Sequence, residues 1–203
     1  MTRRTRPLTT AFIGCVLVLA GCSPTPPPAV YPSEDPKIPV PPIPAPLNGE
    51  KFIADPCTAI TVQQLNDIGF SGGTQERDPG GTRCDIKFGN LARVGAWRSQ
   101  GFRETLRFLY TEHAKGHGAG INNRWDELIV NGYPGVIVRV EDNIPSHKDK
   151  GPVSCTLALG IDNDTLIYLN AATYESPQAG PWRYDPCGAT KKVAELAITN
   201  LRS

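Results

Sequence analysis

Six cysteines and a few serine, histidine and carboxylate side chains carry whatever chemistry this 203-residue chain can perform. The cysteines are Cys15, Cys22, Cys57, Cys84, Cys155 and Cys187. They contain no Cys-x-x-Cys and have no matching histidine pair, so no zinc site is expected. Gly69-Phe70-Ser71-Gly72-Gly73 matches the Gly-x-Ser-x-Gly of a nucleophile elbow. That motif exposes a strained serine only between a strand and a helix. Here a helical pattern precedes it and a polar loop follows, so a helix-end loop is the expected role. His113 and His117 stand four residues apart with Glu112 adjacent, a spacing that can hold a metal on one helix face. Zinc needs three or four ligands, Gly116 interrupts the helix between the two, and His147 is far along the chain. Lys115 to Gly120 is glycine-rich but lacks the Gly-Lys-Ser/Thr ending of a phosphate loop. Asp162-Asn163-Asp164 opens like a calcium loop, yet Ile167 stands where the glycine is needed, so a β-turn is expected. Trp97, Trp125 and Trp182 are expected in the core or at its rim, with a shared groove as the alternative. No catalytic residue, metal or cofactor is expected.

Cys22 is different. Residues 1–21 read as a basic start (Arg3, Arg4, Arg6), an apolar run from Leu8 to Ala20, and small residues before the cysteine. The run is too short to span about 30 Å of hydrocarbon as a permanent helix and fits an export signal. Leu19-Ala20-Gly21-Cys22 resembles the bacterial lipobox, which implies a diacylglyceryl thioether on the Cys22 thiol and cleavage before it. Two or more acyl chains anchor a protein stably, whereas one does so only marginally. Arg3-Arg4 leaves the export route open between two systems.

Eleven of the 23 residues from Pro24 to Pro46 are proline. Proline fixes φ and removes a backbone donor, so neither helix nor sheet is expected there. Residues 22–50 are therefore read as the lipidated cysteine and a proline-rich tether, and residues 51–203 as one globular domain. The mature chain carries 18 basic and 20 acidic side chains, and the part from Lys51 onward carries 17 of each. Such a balance gives no electrostatic footprint for nucleic acid and no polybasic membrane surface.

Four cysteines remain for the domain, and an even number in an exported chain argues for two disulfides. Asp55-Pro56 and Asp185-Pro186 are helix openings, which puts Cys57 and Cys187 in first turns. Cys84 and Cys155 each lie on the apolar side of an alternating pattern, hence on strands. The expected pairing is Cys57–Cys187 between helix starts and Cys84–Cys155 between strands. The spacing predicts a helix over 56–68, a loop to Gly81, and strands over 82–89 and 93–98. A helix then follows through Leu106, Leu109 and Tyr110, with Phe102 at its start. Strands over 126–130 and 135–141 flank Asn131-Gly132, with Pro134 pointing to a turn longer than two residues. Strands follow over 153–161 and 165–174, and a final helix over 186–201. The fold class is α+β, with a mostly antiparallel sheet of five to six strands covered by about three helices.

These features together resemble an actinobacterial lipoprotein family of unknown function, domain of unknown function 3558. They are the lipobox, the tether, Pro56-Cys57 opening a helix that ends in Leu65 to Gly69, strand cysteine Cys84, Gly132-Tyr133-Pro134-Gly135, Cys155, and Cys187 before an alanine-rich helix to Ala197. Ile86 stands where the family often has tryptophan. The resemblance implies an envelope lipoprotein and brings no catalytic residues. The expected localisation is the extracytoplasmic face of the cell membrane. The expected role is a non-enzymatic binding domain for an envelope protein or ligand, with an apolar-ligand carrier as the alternative and a hydrolase or other envelope enzyme using Ser71 or a carboxylate behind it.

Overall fold

The structure is a computed structural model that describes residues 37–99, 104–117, 124–141 and 152–202. Its centre is one seven-stranded antiparallel sheet in the order β1-β2-β3-β7-β6-β5-β4. The strands are β1 (Gly73–Arg77), β2 (Arg83–Phe88), β3 (Ala92–Trp97), β4 (Asp126–Val130), β5 (Tyr133–Glu141), β6 (Ser154–Gly160) and β7 (Leu166–Ala172). Among the described residues four α-helices accompany them: α1 (Gly49–Ala54), α2 (Val62–Asp67), α3 (Leu106–Ala114) and α4 (Pro186–Leu201). Among the described residues, 3-10 turns cover Pro56–Thr58 and Pro177–Trp182. The α+β class is as expected, and the sheet is larger than the five to six strands anticipated.

Alternation explains the sheet's two faces. Ile86 and Phe88, Val94 and Ala96, Leu157 and Leu159, and Ile167 and Leu169 all point to one face and are fully buried. Onto them packs α4, whose Ala189, Val193, Ala194, Ala197 and Ile198 are buried in the same cluster. Alanine on that stripe brings the helix backbone close to the sheet. Asp185 caps α4 by accepting from the Gly188 N–H at 2.8 Å, with Pro186 at the first helical position. The opposite face carries α3 and a smaller apolar cluster around Leu106, Leu109, Val136 and Val138.

The disulfides join other partners than those expected. Cys57 is bonded to Cys84 and Cys155 to Cys187, each with Cα atoms 5.0 Å apart. The strand order gives the reason. β3 and β7 separate β2 from β6, so Cys84 and Cys155 lie at least about 14 Å apart, three strand spacings with a further two-residue offset in register. A disulfide requires Cα atoms within about 7 Å. Each strand cysteine faces the covered side of the sheet, as its alternation implies, and meets the helical cysteine packed directly above it.

The helix expected over 56–68 is two pieces. Thr61 is extended (φ −118°, ψ 155°) and caps α2. Its hydroxyl accepts from the Gln64 N–H, and the Gln64 side chain accepts from the Thr61 N–H. This capping box starts a new helix where continuous periodicity suggests one. The predicted loop to Gly81 contains β1, an edge strand whose exposed Thr74, Gln75, Glu76 and Arg77 show no apolar alternation. The Asn131-Gly132 turn has two residues, both with positive φ (48° and 90°), and Val130 pairs with Tyr133. Pro134 fits because the pair after the hairpin's closing pair is not hydrogen-bonded across the ladder. Phe102 and residues 142–151, between the strands expected over 135–141 and 153–161, lie outside the described residues.

The folded body also begins before residue 51. The Leu47 N–H donates to the Ile161 carbonyl and the Asn48 N–H to the Leu201 carbonyl, both at 2.8 Å. The Tyr133 hydroxyl donates to the Ala45 carbonyl at 2.8 Å and Arg107 Nη1 to the Ile38 carbonyl at 3.1 Å. Leu47 is buried, and Ile38 and Val40 pack against the α3 cluster. Residues 38–48 are thus a strap on the domain. They have neither helix nor strand, as their prolines require, yet they are seated on it.

Candidate functional site

Cross-strand register builds a groove on the sheet face that α3 covers only in part. Its first row is Arg83, Trp97, Tyr168 and Ala158, each paired with the next across β2, β3, β7 and β6. The Arg83 guanidinium lies 4.8 Å from the Trp97 ring centroid. The Trp97 and Tyr168 rings stack at 5.6 Å with 14° between planes. The second row is Asp85, Gly95, Asn170, Thr156 and Arg139. The third row is Lys87, Arg93, Ala172, Ser154 and Glu141. Small residues in the lower rows hollow the face. The larger Phe108 and Leu109 of α3 and the stacked rings form walls, and the cavity encloses about 650 Å³.

Three local devices shape it. A β-bulge between Ile137 and Arg139 inserts Val138 as an unpaired residue in β5. Both Val138 and Arg139 therefore face the groove, while Ile137 and Val140 remain on the covered side. Gly95 leaves space for Asp85: a Cβ there would stand 2.6 Å from Asp85 Oδ1. The carboxylate can then take Arg83 Nε on both oxygens, at 2.9 and 2.8 Å. Tyr174 and Glu175, at the end of β7, both have positive φ (41° and 59°) without being glycine. That sparsely populated backbone sets Tyr174 on the groove's rim.

The walls are charged and mostly self-satisfied. Glu104 accepts from the Tyr168 hydroxyl at 2.8 Å. Glu141 pairs with Arg139 at 2.7 Å. Glu112 accepts from Lys115 Nζ at 3.0 Å and lies 3.2 Å from His117 Nδ1. The hydrogen bond from Lys115 holds the Glu112 carboxyl below the usual glutamate range, with help from His117 and against the effect of burial. Burial, then the Glu104 charge, pushes the Tyr168 phenol well above its ordinary 10.0. Burial, then the Glu127 charge, does the same to Tyr110.

A pH dependence follows from the two phenols. Folding favours their neutral form, so their contribution is complete below pH 10.0 and is lost as pH rises above it. Spectrophotometric titration should find two tyrosines un-ionised at about pH 11 while the chain is folded. Thermal stability should fall over the same range. Ionisation of all six tyrosines together near pH 10 would contradict these placements.

The residues singled out by sequence fall in different places. Ser71 is exposed, between α2 and β1, and its N–H donates to the Gln178 carbonyl at 3.0 Å. Helix-then-strand is the reverse of a nucleophile elbow. The His113 ring stacks on Trp125 at 3.7 Å, whereas His117 turns to Glu112 beyond Gly116 (φ 75°). Asp162 accepts from the Asp164 N–H at 2.7 Å in the anticipated turn, which packs against Gly49. Trp97 lines the groove, but Trp182 packs on the covered face and donates to the Ile68 carbonyl at 2.8 Å. Ile86 is fully buried on that same face. Cys15, Cys22 and His147 lie outside the described residues. Sequence reasoning missed Arg93, Arg139, Ser154, Thr156, Asn170 and Tyr174. The only available signal was the polar half of the alternation in β3, β6 and β7.

The fold and this face define an α+β protein with a single antiparallel sheet. One side is sealed by helices and two disulfides, and the other is hollowed by a polar, aromatic-walled groove. The family described as protein of unknown function, DUF3558, matches residues 17–200, and the chain belongs to that family. No curated protein and no solved structure matches it. Among the described residues no helix is long and apolar enough to cross a membrane.

Proposed function

We propose that this protein is an exported, lipid-anchored, non-enzymatic binding module, held at the extracytoplasmic face of the membrane through Cys22, with the groove as its ligand site. The observation that carries the reading is the groove itself. Its volume of about 650 Å³ falls within the ~300–1,000 Å³ of small-molecule sites. Its floor is built of buried polar side chains, Ser154, Thr156 and Asn170, on a face that could have been closed by apolar residues. Two disulfides in a chain of this size suit an oxidising, exported setting. The Leu19-Ala20-Gly21-Cys22 segment supports the anchor. With the strap seated from Ile38, fifteen residues (23–37) join Cys22 to the body. At about 3.1 Å per residue they allow a reach of about 47 Å. That leash keeps the groove near membrane-bound partners and raises effective concentration there.

Native mass spectrometry of the chain extracted from its own membranes tests this. The expected result is a chain beginning at a lipidated Cys22 and carrying a non-covalent small-molecule mass. An unlipidated soluble chain would overturn the anchor. A lipidated chain with nothing bound, even before any washing step, would overturn the groove as a ligand site.

A further inference from the structure

We propose that the groove recognises the carboxylate of a small amphiphile, with Ser154, Thr156 and Arg93 as the head-group donors and the Trp97–Tyr168 stack and α3 as the wall for its apolar part. This rests on the groove being a ligand site.

Two hydroxyl donors are left over on the groove floor. The Asn170 amide lies on the floor, 6% exposed. Its Nδ2 is 2.9 Å from the Cys155 carbonyl, 3.0 Å from Ser154 Oγ and 3.1 Å from Thr156 Oγ1. A backbone carbonyl only accepts, so the amide's NH₂ must be the group that faces it, which fixes the orientation of the side chain. An NH₂ has two hydrogens and no lone pair to offer, so Ser154 and Thr156 share the hydrogen not given to Cys155, and only as acceptors. Each hydroxyl therefore keeps its own hydrogen. Neither hydrogen has an acceptor among the described residues, although Ser154 is 5% and Thr156 6% exposed. An unmade hydrogen bond at such burial is costly, and an acceptor entering the groove removes that cost.

The charged walls point the same way. Asp85, Glu104, Glu112 and Glu141 are each already engaged by Arg83, Tyr168, Lys115 and Arg139 respectively. Arg93 is held the most loosely: its Nε forms only a 3.9 Å ion pair with Asp85 Oδ1, beyond hydrogen-bond distance, and that oxygen is already bonded to Arg83. Arg93 and Ser154 share a row with only Ala172 between them. Two strand spacings, about 10 Å, separate their backbones, and the Ala172 methyl leaves the path across it open. A planar guanidinium and two hydroxyls match the two oxygens of a carboxylate. Four carboxylates around the groove disfavour a dianion, which selects a singly charged head group over a phosphate. The apolar remainder has Trp97, Tyr168, Phe108, Leu109 and Val138 to lie against.

The test uses the full chain with Cys22→Ser, titrated by calorimetry with octanoate, octanol and octyl phosphate. Octanoate should bind saturably, and octanol about tenfold or more weaker, the span of a charged hydrogen bond. Arg93→Gln, and separately Ser154→Ala with Thr156→Val, should each weaken octanoate about tenfold while leaving octanol unchanged. Arg93 is part-exposed, so its variant should retain the wild-type melting profile and report on binding alone. Equal binding of octanol and octanoate, or full octanoate affinity in both variants, overturns the carboxylate assignment and leaves the groove reading standing. Preference for octyl phosphate overturns it in favour of a phosphate head group. Binding of none of the three overturns the amphiphile. The membrane-extracted mass then decides the groove separately.

Discussion

Replacing Cys155 and Cys187 together by alanine is expected to lower the unfolding free energy by about 3.7 kcal/mol. The bond closes a loop with a sequence separation of 32. The chain-entropy model puts the stabilisation by such a loop near that figure. At about 2–4 °C per kcal/mol for a domain of this size, the melting temperature should fall by about 7–15 °C. The protein should still fold. The body has an extensive core under α4, and the Thr190 hydroxyl still joins α4 to the sheet by accepting from the Ala171 N–H at 3.0 Å. The Cys57–Cys84 pair, with a separation of 27, should behave alike. Non-reducing peptide mapping of the wild type should return Cys57 with Cys84 and Cys155 with Cys187. A Cys84–Cys155 peptide would contradict the strand order itself, because no arrangement with β3 and β7 between β2 and β6 can form it.

Phe52→Ala should cost about 3–5 kcal/mol, the range for a fully buried phenylalanine. Phe52 has no exposed surface and belongs to the main core. It sits on α1, whose six residues cannot hold a helix alone. The helix is held from outside. Asn48 accepts from the Lys51 N–H at 2.9 Å, the Asn48 N–H donates to the Leu201 carbonyl, and Lys51 Nζ donates to the Asn200 carbonyl at 3.0 Å. The same reasoning makes the strap part of the body, so a chain cut at Lys51 should be less stable than one cut at Lys37. Urea unfolding of Phe52→Ala measures the effect. A loss below about 1 kcal/mol would mean that α1 does not fill the core.

Local signals carried much of this architecture. Asp-Pro before Cys187 and the alanine stripe after it predict α4 over Pro186–Leu201 as found. Alternation locates β2, β6 and β7, and Asn131-Gly132 locates the hairpin. The losses have identifiable causes. β1 is an edge strand with polar side chains, so burial never imposes a pattern on it. The strap is proline-rich, which forbids regular structure but not packing; its seating depends on the distant Ile161, Leu201 and Tyr133. The disulfide pairing depends on β3 lying beside β7, a contact between segments about 75 residues apart, which no local pattern encodes. The groove was hidden for a related reason. Arg93, Ser154 and Asn170 look like the ordinary polar half of strands. Only the strand order and the bulge at Val138 bring them onto one floor.

The most direct test of the groove as the binding face is amide and indole chemical-shift mapping of the full chain with Cys22→Ser, titrated with octanoate. The expected result is saturable shifts at Ser154, Thr156, Tyr168, Asn170 and the Trp97 indole, with α4 and the β1 edge unmoved. Shifts centred on α4 or on β4, with the floor residues unchanged at saturation, would place binding elsewhere and contradict the account.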